Sequence, residues 1–268
     1  MEERNVIIVT GASGGLGEEV ARRYAATHKL VVTGTSTKKL EPLLASLPGS
    51  GHVAVAVDLA DPSAADKIVE AARGLGGFKA LVAAAGMSPV MGEPLKICQV
   101  NLDATMRLER ACLPLAGPGS VAVFVSSIAG HIRGVFDAAI TEFFNGGTIE
   151  KFAEGHTSMS AYSASKRGVI MLAEVRATAW GAKGARVVSM SPGLFDTPMW
   201  QREVAAEPNL KVTIQDRTPL KRVGLPSEMT DAIEFLISEK AKFITGTDLL
   251  VDGGVTSARM APEIAALA

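Results

Sequence analysis

The chain holds 268 residues, 47% of them hydrophobic, with a formal net charge of −1. That length buries one substantial core without forcing a second domain, and the near-neutral charge argues against a nucleic-acid or anionic-membrane partner. No apolar run nears the roughly 18 residues of a membrane span, and Met1-Glu2-Glu3-Arg4 directly before a strand leads us to expect no signal peptide.

Val6-Ile7-Ile8-Val9 is a short apolar run suited to a buried parallel strand. It enters Thr10-Gly11-Ala12-Ser13-Gly14-Gly15-Leu16-Gly17, after which Glu18 to Ala26 reads as helix. Glycines at 11, 15 and 17 permit a tight turn, close backbone approach to a pyrophosphate, and close helix–strand packing. Backbone N–H groups at the helix start supply the anion site. Flexible loops are glycine-rich too, but a glycine turn between a strand and a helix points to a dinucleotide. Further strands are expected at 30–34, 53–57, 80–84, 120–125, 186–190 and 248–251, and amphipathic helices, for example 62–74, 162–180 and 226–238, fill most of the gaps. This alternation predicts an α/β fold: a Rossmann-like, doubly wound parallel seven-stranded sheet with helices on both faces, in a single domain over 1–268. Right-handed crossovers align the carboxyl ends of the strands along one edge, where open α/β sheets bind ligands.

Tyr162 and Lys166 fall four residues apart in Tyr-Ser-Ala-Ser-Lys, on the helix expected at 162–180. One turn puts the phenol and the ammonium on a shared face. A phenol exchanges protons poorly at neutral pH, and a fixed cation beside it favours the phenolate. The pair suits acid–base work on a carbonyl or an alcohol. A tyrosine and a lysine on a wet helix face are also common, so it is the glycine loop that gives the pair its weight. Cys98 and Cys112 have no metal-ligand spacing, which predicts reduced core cysteines, no metal, and a cytoplasmic protein.

With both stretches in hand, the chain resembles the short-chain dehydrogenase/reductase family over nearly all its length. The pattern runs from Thr10–Gly17 through Val57-Asp58-Leu59, Ala84-Ala85-Gly86, Val100-Asn101-Leu102 and Ser126-Ser127-Ile128-Ala129-Gly130. It continues with Tyr162 and Lys166, then Ser191-Pro192-Gly193 followed by Thr197, and ends at Val251-Asp252-Gly253-Gly254. The resemblance implies catalysis by Asn101, Ser127, Tyr162 and Lys166. Tyr162 is expected to exchange the proton, Lys166 to assist it and to bind the nicotinamide ribose, and Ser127 to hold the substrate oxygen. Ser126 is a rival for that last role. Asn101 is expected either to shape its helix and carry a water-linked proton path to Lys166, or to act only structurally.

The cofactor is expected to touch Gly11, Ser13, Gly14, Gly15, Leu16 and Gly17, with Asp58 and Leu59 at the adenine and Ala84, Ala85 and Gly86 beside the sheet. Tyr162, Lys166, Pro192, Gly193 and Thr197 complete the set. Choice between cofactors rests on the end of the second strand. A carboxylate there accepts from both ribose hydroxyls and selects NAD(H), but the aligned residue is Gly34. Its absence leaves room for a 2′-phosphate, toward which Thr35, Ser36 and Thr37 offer hydroxyls and Lys38 or Lys39 adds charge. NADP(H) is therefore expected ahead of NAD(H).

Three departures from the family pattern stand out. Asn-Asn-Ala-Gly is replaced by Ala83-Ala84-Ala85-Gly86; only 15 residues separate Gly86 from Asn101; and 35 separate Ser127 from Tyr162. The third is an insertion at about 131–156. There Phe136, Ile140, Phe143, Phe144, Ile149 and Phe152 form an apolar stripe, with a helix break at Asn145-Gly146-Gly147. It reads as a lid over the substrate, or as a helix pair packed on the body or on a partner subunit. His131 and His156 flank it without acidic neighbours at ligand spacing.

The insertion, the short segment before Asn101 and Ala179-Trp180-Gly181 look like the bacterial 3α-hydroxysteroid dehydrogenase/carbonyl reductase type, a subgroup associated with NAD(H). A small-molecule carbonyl or alcohol is then the partner, a bulky hydrophobic ketone or hydroxysteroid in particular, with a homodimer or homotetramer as the assembly. Leu194 to Arg222, punctuated by Pro208 and Pro219, is expected to hold the substrate loop, with Met199 and Trp200 near the pocket. Two alternatives stay open: a 3-oxoacyl thioester reductase, which shares Gly-Thr-x-Thr after the second strand, and a non-catalytic dinucleotide-binding sensor or scaffold.

Overall fold

The computed structural model describes residues 4–206 and 217–260. Its strands are β1 (Arg4–Thr10), β2 (Lys29–Gly34), β3 (Val53–Ala56), β4 (Gly77–Ala83), β5 (Val121–Val125), β6 (Arg186–Pro192) and β7 (Asp248–Val251). They form one sheet in the order β3-β2-β1-β4-β5-β6-β7, and every neighbouring pair is parallel. The seven expected strands are all present.

The helices are α1 (Gly15–Tyr24), α2 (Thr37–Ser46), α3 (Ala64–Arg73), α4 (Pro94–Cys98), α5 (Ala104–Cys112), α6 (Asp137–Phe144), α7 (Ile149–Ala153), α8 (Ser158–Gly181), α9 (Pro198–Ala206), α10 (Pro226–Ile237) and α11 (Val255–Met260). Successive strand residues point to opposite faces, so β1 feeds two cores. Val6 and Ile8 join Ile68 of α3, Leu108 of α5 and Leu172 of α8. Ile7 and Val9 join Val20 of α1, Leu40 of α2 and Ile233 of α10. Burial on both faces explains why the strands read as unbroken apolar runs. Strand order reverses between β1 and β4, so the loops after those two strands part and leave a crevice at their carboxyl ends.

Two helix starts differ from expectation. The first helix runs over Gly15–Tyr24 rather than from Glu18, because its first turn is the end of the glycine loop itself. α8 begins at Ser158, one turn before Tyr162, because the Thr157 hydroxyl accepts from Ser160 N and Ser160 Oγ accepts from Thr157 N.

The insertion forms α6 and α7, joined through Asn145–Gly147. Ile140, Phe143, Ile149 and Phe152 are buried in the core shared with α5 and α8. Arg167 of α8 grips Asp137 with Nε and Nη2, at 2.9 and 3.1 Å. The apolar stripe therefore packs onto the body of the molecule.

Candidate active site

The glycine loop is shaped by close approach. Gly11 (φ 71°) and Gly15 (φ 58°) take left-handed conformations. A Cβ on Gly11 would lie 2.8 Å from Ala85 Cα, and one on Gly17 would lie 2.5 Å from Gly11 O. These two glycines pack the loop against the turn after β4 and against itself. Gly14 has nothing within 4 Å of the same construction and Gly15 only Pro198, at 3.9 Å. The loop therefore leaves an open face at the start of α1, where backbone N–H groups point outward.

That face opens into a cleft of about 1340 Å³ at the strand ends. Ligand pockets run to roughly 300–1,000 Å³, so this one has room for a dinucleotide and a second small molecule. Gly11, Ser13, Gly14, Gly15, Leu16, Gly17, Thr35, Asp58, Leu59, Ala84, Ala85, Gly86, Ser127, Tyr162, Lys166, Pro192, Gly193 and Thr197 all line it. Ser36 and Thr37 do not: they form the N-cap and first residue of α2. Lys39 lines the cleft in their place.

Tyr162 and Lys166 lie on the cleft side of α8, with the Lys166 ammonium 5.9 Å from the tyrosine ring centroid. Lys166 is 5% exposed and donates to the Val125 carbonyl at 2.9 Å. Burial disfavours its charged form and pushes its pKa down to about 8. A Cβ on Gly86 would lie 3.3 Å from this ammonium and 3.4 Å from Asn101 Oδ1, so a bare residue makes space for both groups.

The two serines after β5 divide their work. Ser126 donates to the Lys166 carbonyl at 2.8 Å, tying the strand end to α8. Gly130 packs against the same place, where a Cβ would lie 2.8 Å from Lys166 C. Both residues line the cleft, and the Ser127 hydroxyl accepts from Ala129 N at 3.2 Å.

Asn101 does not line the cleft. It sits in a π-helical turn, Gln99–Asp103, that joins α4 to α5. Its Oδ1 accepts from Met87 N at 2.8 Å, and its Nδ2 donates to Met87 O at 3.0 Å and to Ser165 Oγ at 3.2 Å. The side chain thus clamps the loop after β4 to α8. The short stretch before it holds a 3₁₀ turn, Pro89–Met91, and the single helical turn of α4. In place of the missing asparagines, the Thr10 hydroxyl accepts from Ala85 N at 3.1 Å and joins β1 to the loop after β4.

The other end of the cleft is apolar. Met91, Met199 and Trp200 line it with three unusually exposed side chains: Val90 (54%), Ile132 (41%) and Met159 (63%). Pro219 lies in the described part of the 194–222 segment, whereas Pro208 lies outside the described residues. Of the insertion, Ile132 alone reaches the cleft among the described residues. Flanking His131 donates from Nε2 to Asp248 Oδ2 at 3.0 Å, and His156 pairs with Ser160 Oγ at 3.0 Å. Among the described residues no histidine, cysteine and carboxylate cluster is fit for a metal, and no helix is long and apolar enough to cross a membrane.

Sequence reasoning missed Lys96 and Met159 on the cleft wall. Neither belongs to a motif, and only the folded chain brings them there.

A family model described as short chain dehydrogenase matches residues 5–139, and one described as enoyl-(acyl carrier protein) reductase matches 149–256. The chain is 31% identical to the cis-4-hydroxycyclohexanecarboxylate dehydrogenase of Sinomonas cyclohexanicum, over 94% of this chain and 96% of that one. It is 30% identical to the meso-2,3-butanediol dehydrogenase of Serratia marcescens, over 98% of each. Among solved structures it is similar to the 3-alpha-hydroxysteroid dehydrogenase from Pseudomonas sp. B-0831 complexed with NADH. That match has a TM-score of 0.80 and 27% identity, covering 97% of this chain and 99% of that one.

Proposed function

The chain belongs to the short-chain dehydrogenase/reductase family and is an oxidoreductase of alcohols and carbonyls; we propose that it acts on a bulky hydrophobic ketone or hydroxysteroid, using Tyr162, Lys166, Ser127 and Asn101. One observation carries this reading: Tyr162, Lys166 and Ser127 line the same cleft as the exposed apolar side chains Val90, Ile132 and Met159. An apolar substrate seated against those side chains removes them from water.

The glycine loop, with its open face at the start of α1 and a cleft of sufficient volume, fits a nicotinamide dinucleotide. When bound, that group supplies or accepts the hydride. In the reductive direction Tyr162 gives its phenolic proton to the carbonyl oxygen, and Lys166 favours the phenolate that results. Ser127 donates its hydroxyl hydrogen to the same oxygen and fixes its position. Asn101 acts by holding Met87 and Ser165, and through them the shape of the wall. In the oxidative direction Tyr162 takes the alcohol proton instead.

For the cofactor, NADP(H) is our reading ahead of NAD(H). A Cβ at Gly34 would lie 3.1 Å from both Cβ and Oγ of Ser13, so a carboxylate has no easy place there. Thr35 and Lys39 line the cleft together with Gly34. Greater thermal stabilisation by NADPH than by NADH is expected; the reverse order rejects this choice.

We read the protein as one domain, cytoplasmic, and a homodimer or homotetramer. Free, buried Cys98 and Cys112 fit a reducing compartment, and the fully exposed Phe243 ring fits a covered assembly surface. A 3-oxoacyl thioester reductase stays the runner-up, since the description of the second matching family model names a reductase of acyl-carrier-protein substrates.

The deciding experiment is a panel of ketones, alcohols and acyl thioesters, followed by nicotinamide absorbance, on the wild type and Tyr162→Phe. Loss of about 10²-fold or more in turnover is expected. Unchanged turnover in the variant removes Tyr162 from the mechanism.

A further inference from the structure

Lys96 stands in the first turn of α4 and lines the cleft together with Asp58 and Leu59. Its ammonium lies 2.7 Å from Asp58 Oδ2, while Asp58 Oδ1 accepts from Ala60 N at 2.9 Å. Both oxygens of the carboxylate are therefore anchored, one by a cation and one by backbone. Each oxygen keeps a free acceptor site, because a carboxylate offers about four in all. Side-chain exposures of 41% for Lys96 and 51% for Asp58 leave the pair little to contribute as a stabilising salt bridge. Its placement on the cleft wall is the more telling feature.

Resting on the cofactor reading above, we infer that Lys96 is a positioning residue for the nucleotide base: its ion pair with Asp58 holds the carboxylate in the orientation that accepts from the exocyclic amino group of adenine. Adenine presents one amino donor on its edge beside its ring-nitrogen acceptors, and an ionised carboxylate is acceptor-only. Contact between base and carboxylate must therefore run through that amino group. An aspartate held only at Oδ1 is free to turn its other oxygen toward water, and the base then meets a disordered acceptor. Lys96 removes that freedom before the nucleotide arrives. Its own location follows from the short stretch between Gly86 and Asn101, which starts α4 at Pro94 and so presents Lys96 to the cleft.

The test measures binding by calorimetry, with ADP as probe for the adenine half and nicotinamide mononucleotide for the other. Lys96→Met is expected to weaken ADP by about 3- to 10-fold, the range for one hydrogen bond, and to leave nicotinamide mononucleotide unchanged. Lys96→Arg should restore most of the loss. Asp58→Ala, which removes the acceptor, should weaken ADP similarly, and adding Lys96→Met to it should do little more, since the lysine acts through the aspartate. In turnover, Lys96→Met should raise cofactor KM with kcat unchanged.

Wild-type ADP affinity in Lys96→Met, alongside weakened Asp58→Ala, overturns the positioning role and leaves the cofactor reading intact. Equal losses for both probes also overturn it, since the effect is then general. If Asp58→Ala itself binds ADP normally, the adenine contact of Asp58 fails, and the role of Lys96 fails with it.

Discussion

Replacing Lys166 by methionine should change the pH dependence of stability in a calculable way. The ammonium is 5% exposed, and burial alone pushes its pKa from the ordinary 10.5 down to about 8. Between those two values the unfolded chain binds a proton that the folded chain releases. Stability therefore rises with pH across that window as far as this group is concerned. Below about pH 8 the folded protein carries the full burden of a buried cation. At about 1.36 kcal/mol per unit, the 2.5 units between 10.5 and about 8 amount to about 3.4 kcal/mol. Roughly 2 kcal/mol of that is relieved between pH 7 and pH 9.5. Methionine fills a similar volume with no charge, so the wild type should gain about 2 kcal/mol relative to the variant over this range. The Val125 carbonyl, which loses its donor in the variant, shifts the offset between the two proteins but not the slope. Urea unfolding of both proteins without cofactor, at several pH values, measures the difference directly. A difference that stays flat from pH 7 to pH 9.5, or that moves the other way, refutes the buried-cation account of Lys166. Turnover in the variant should be lost throughout, because the cation beside Tyr162 is gone.

Two other substitutions probe the architecture around the cleft. Gly17→Ala sets a Cβ 2.5 Å from Gly11 O and 2.7 Å from Gly11 C, so the loop must shift. A stability loss of about 1–3 kcal/mol is expected, together with loss of the thermal shift given by NADPH; a normal shift would show that the loop tolerates the methyl group. Phe152→Ala removes a ring that packs on Phe143 with centroids 5.5 Å apart. It should destabilise by about 3–5 kcal/mol, while kcat measured well below the melting temperature stays near wild type, because the ring does not line the cleft. A large kcat loss with little loss of stability would instead favour a lid.

The sheet was legible because parallel strands covered on both faces are written as continuous apolar runs, and β1, β2 and β5 are of this kind. Element starts were less so. α1 begins at Gly15 because its first turn needs bare backbone, which in sequence looks like loop. α8 begins at Ser158 because Thr157 and Ser160 cap it ahead of the periodic pattern. Non-local pairs left no trace: Lys96 and Asp58 are 38 residues apart, and His131 and Asp248 are 117 apart. The insertion showed its apolar stripe but not which surface would receive it, since a stripe that packs and a stripe that lines a pocket have the same period. The motif Ser126-Ser127 shows where such reading ends and geometry begins. Both residues line the cleft, and what separates them is where each hydroxyl is bonded. Ser126 is committed to the Lys166 carbonyl, on the same helix turn that presents the Lys166 ammonium to the cleft. Ser126 therefore anchors the backbone of Lys166 while Ser127, among the described residues, is bonded only to its own turn, so the two hydroxyls are not interchangeable.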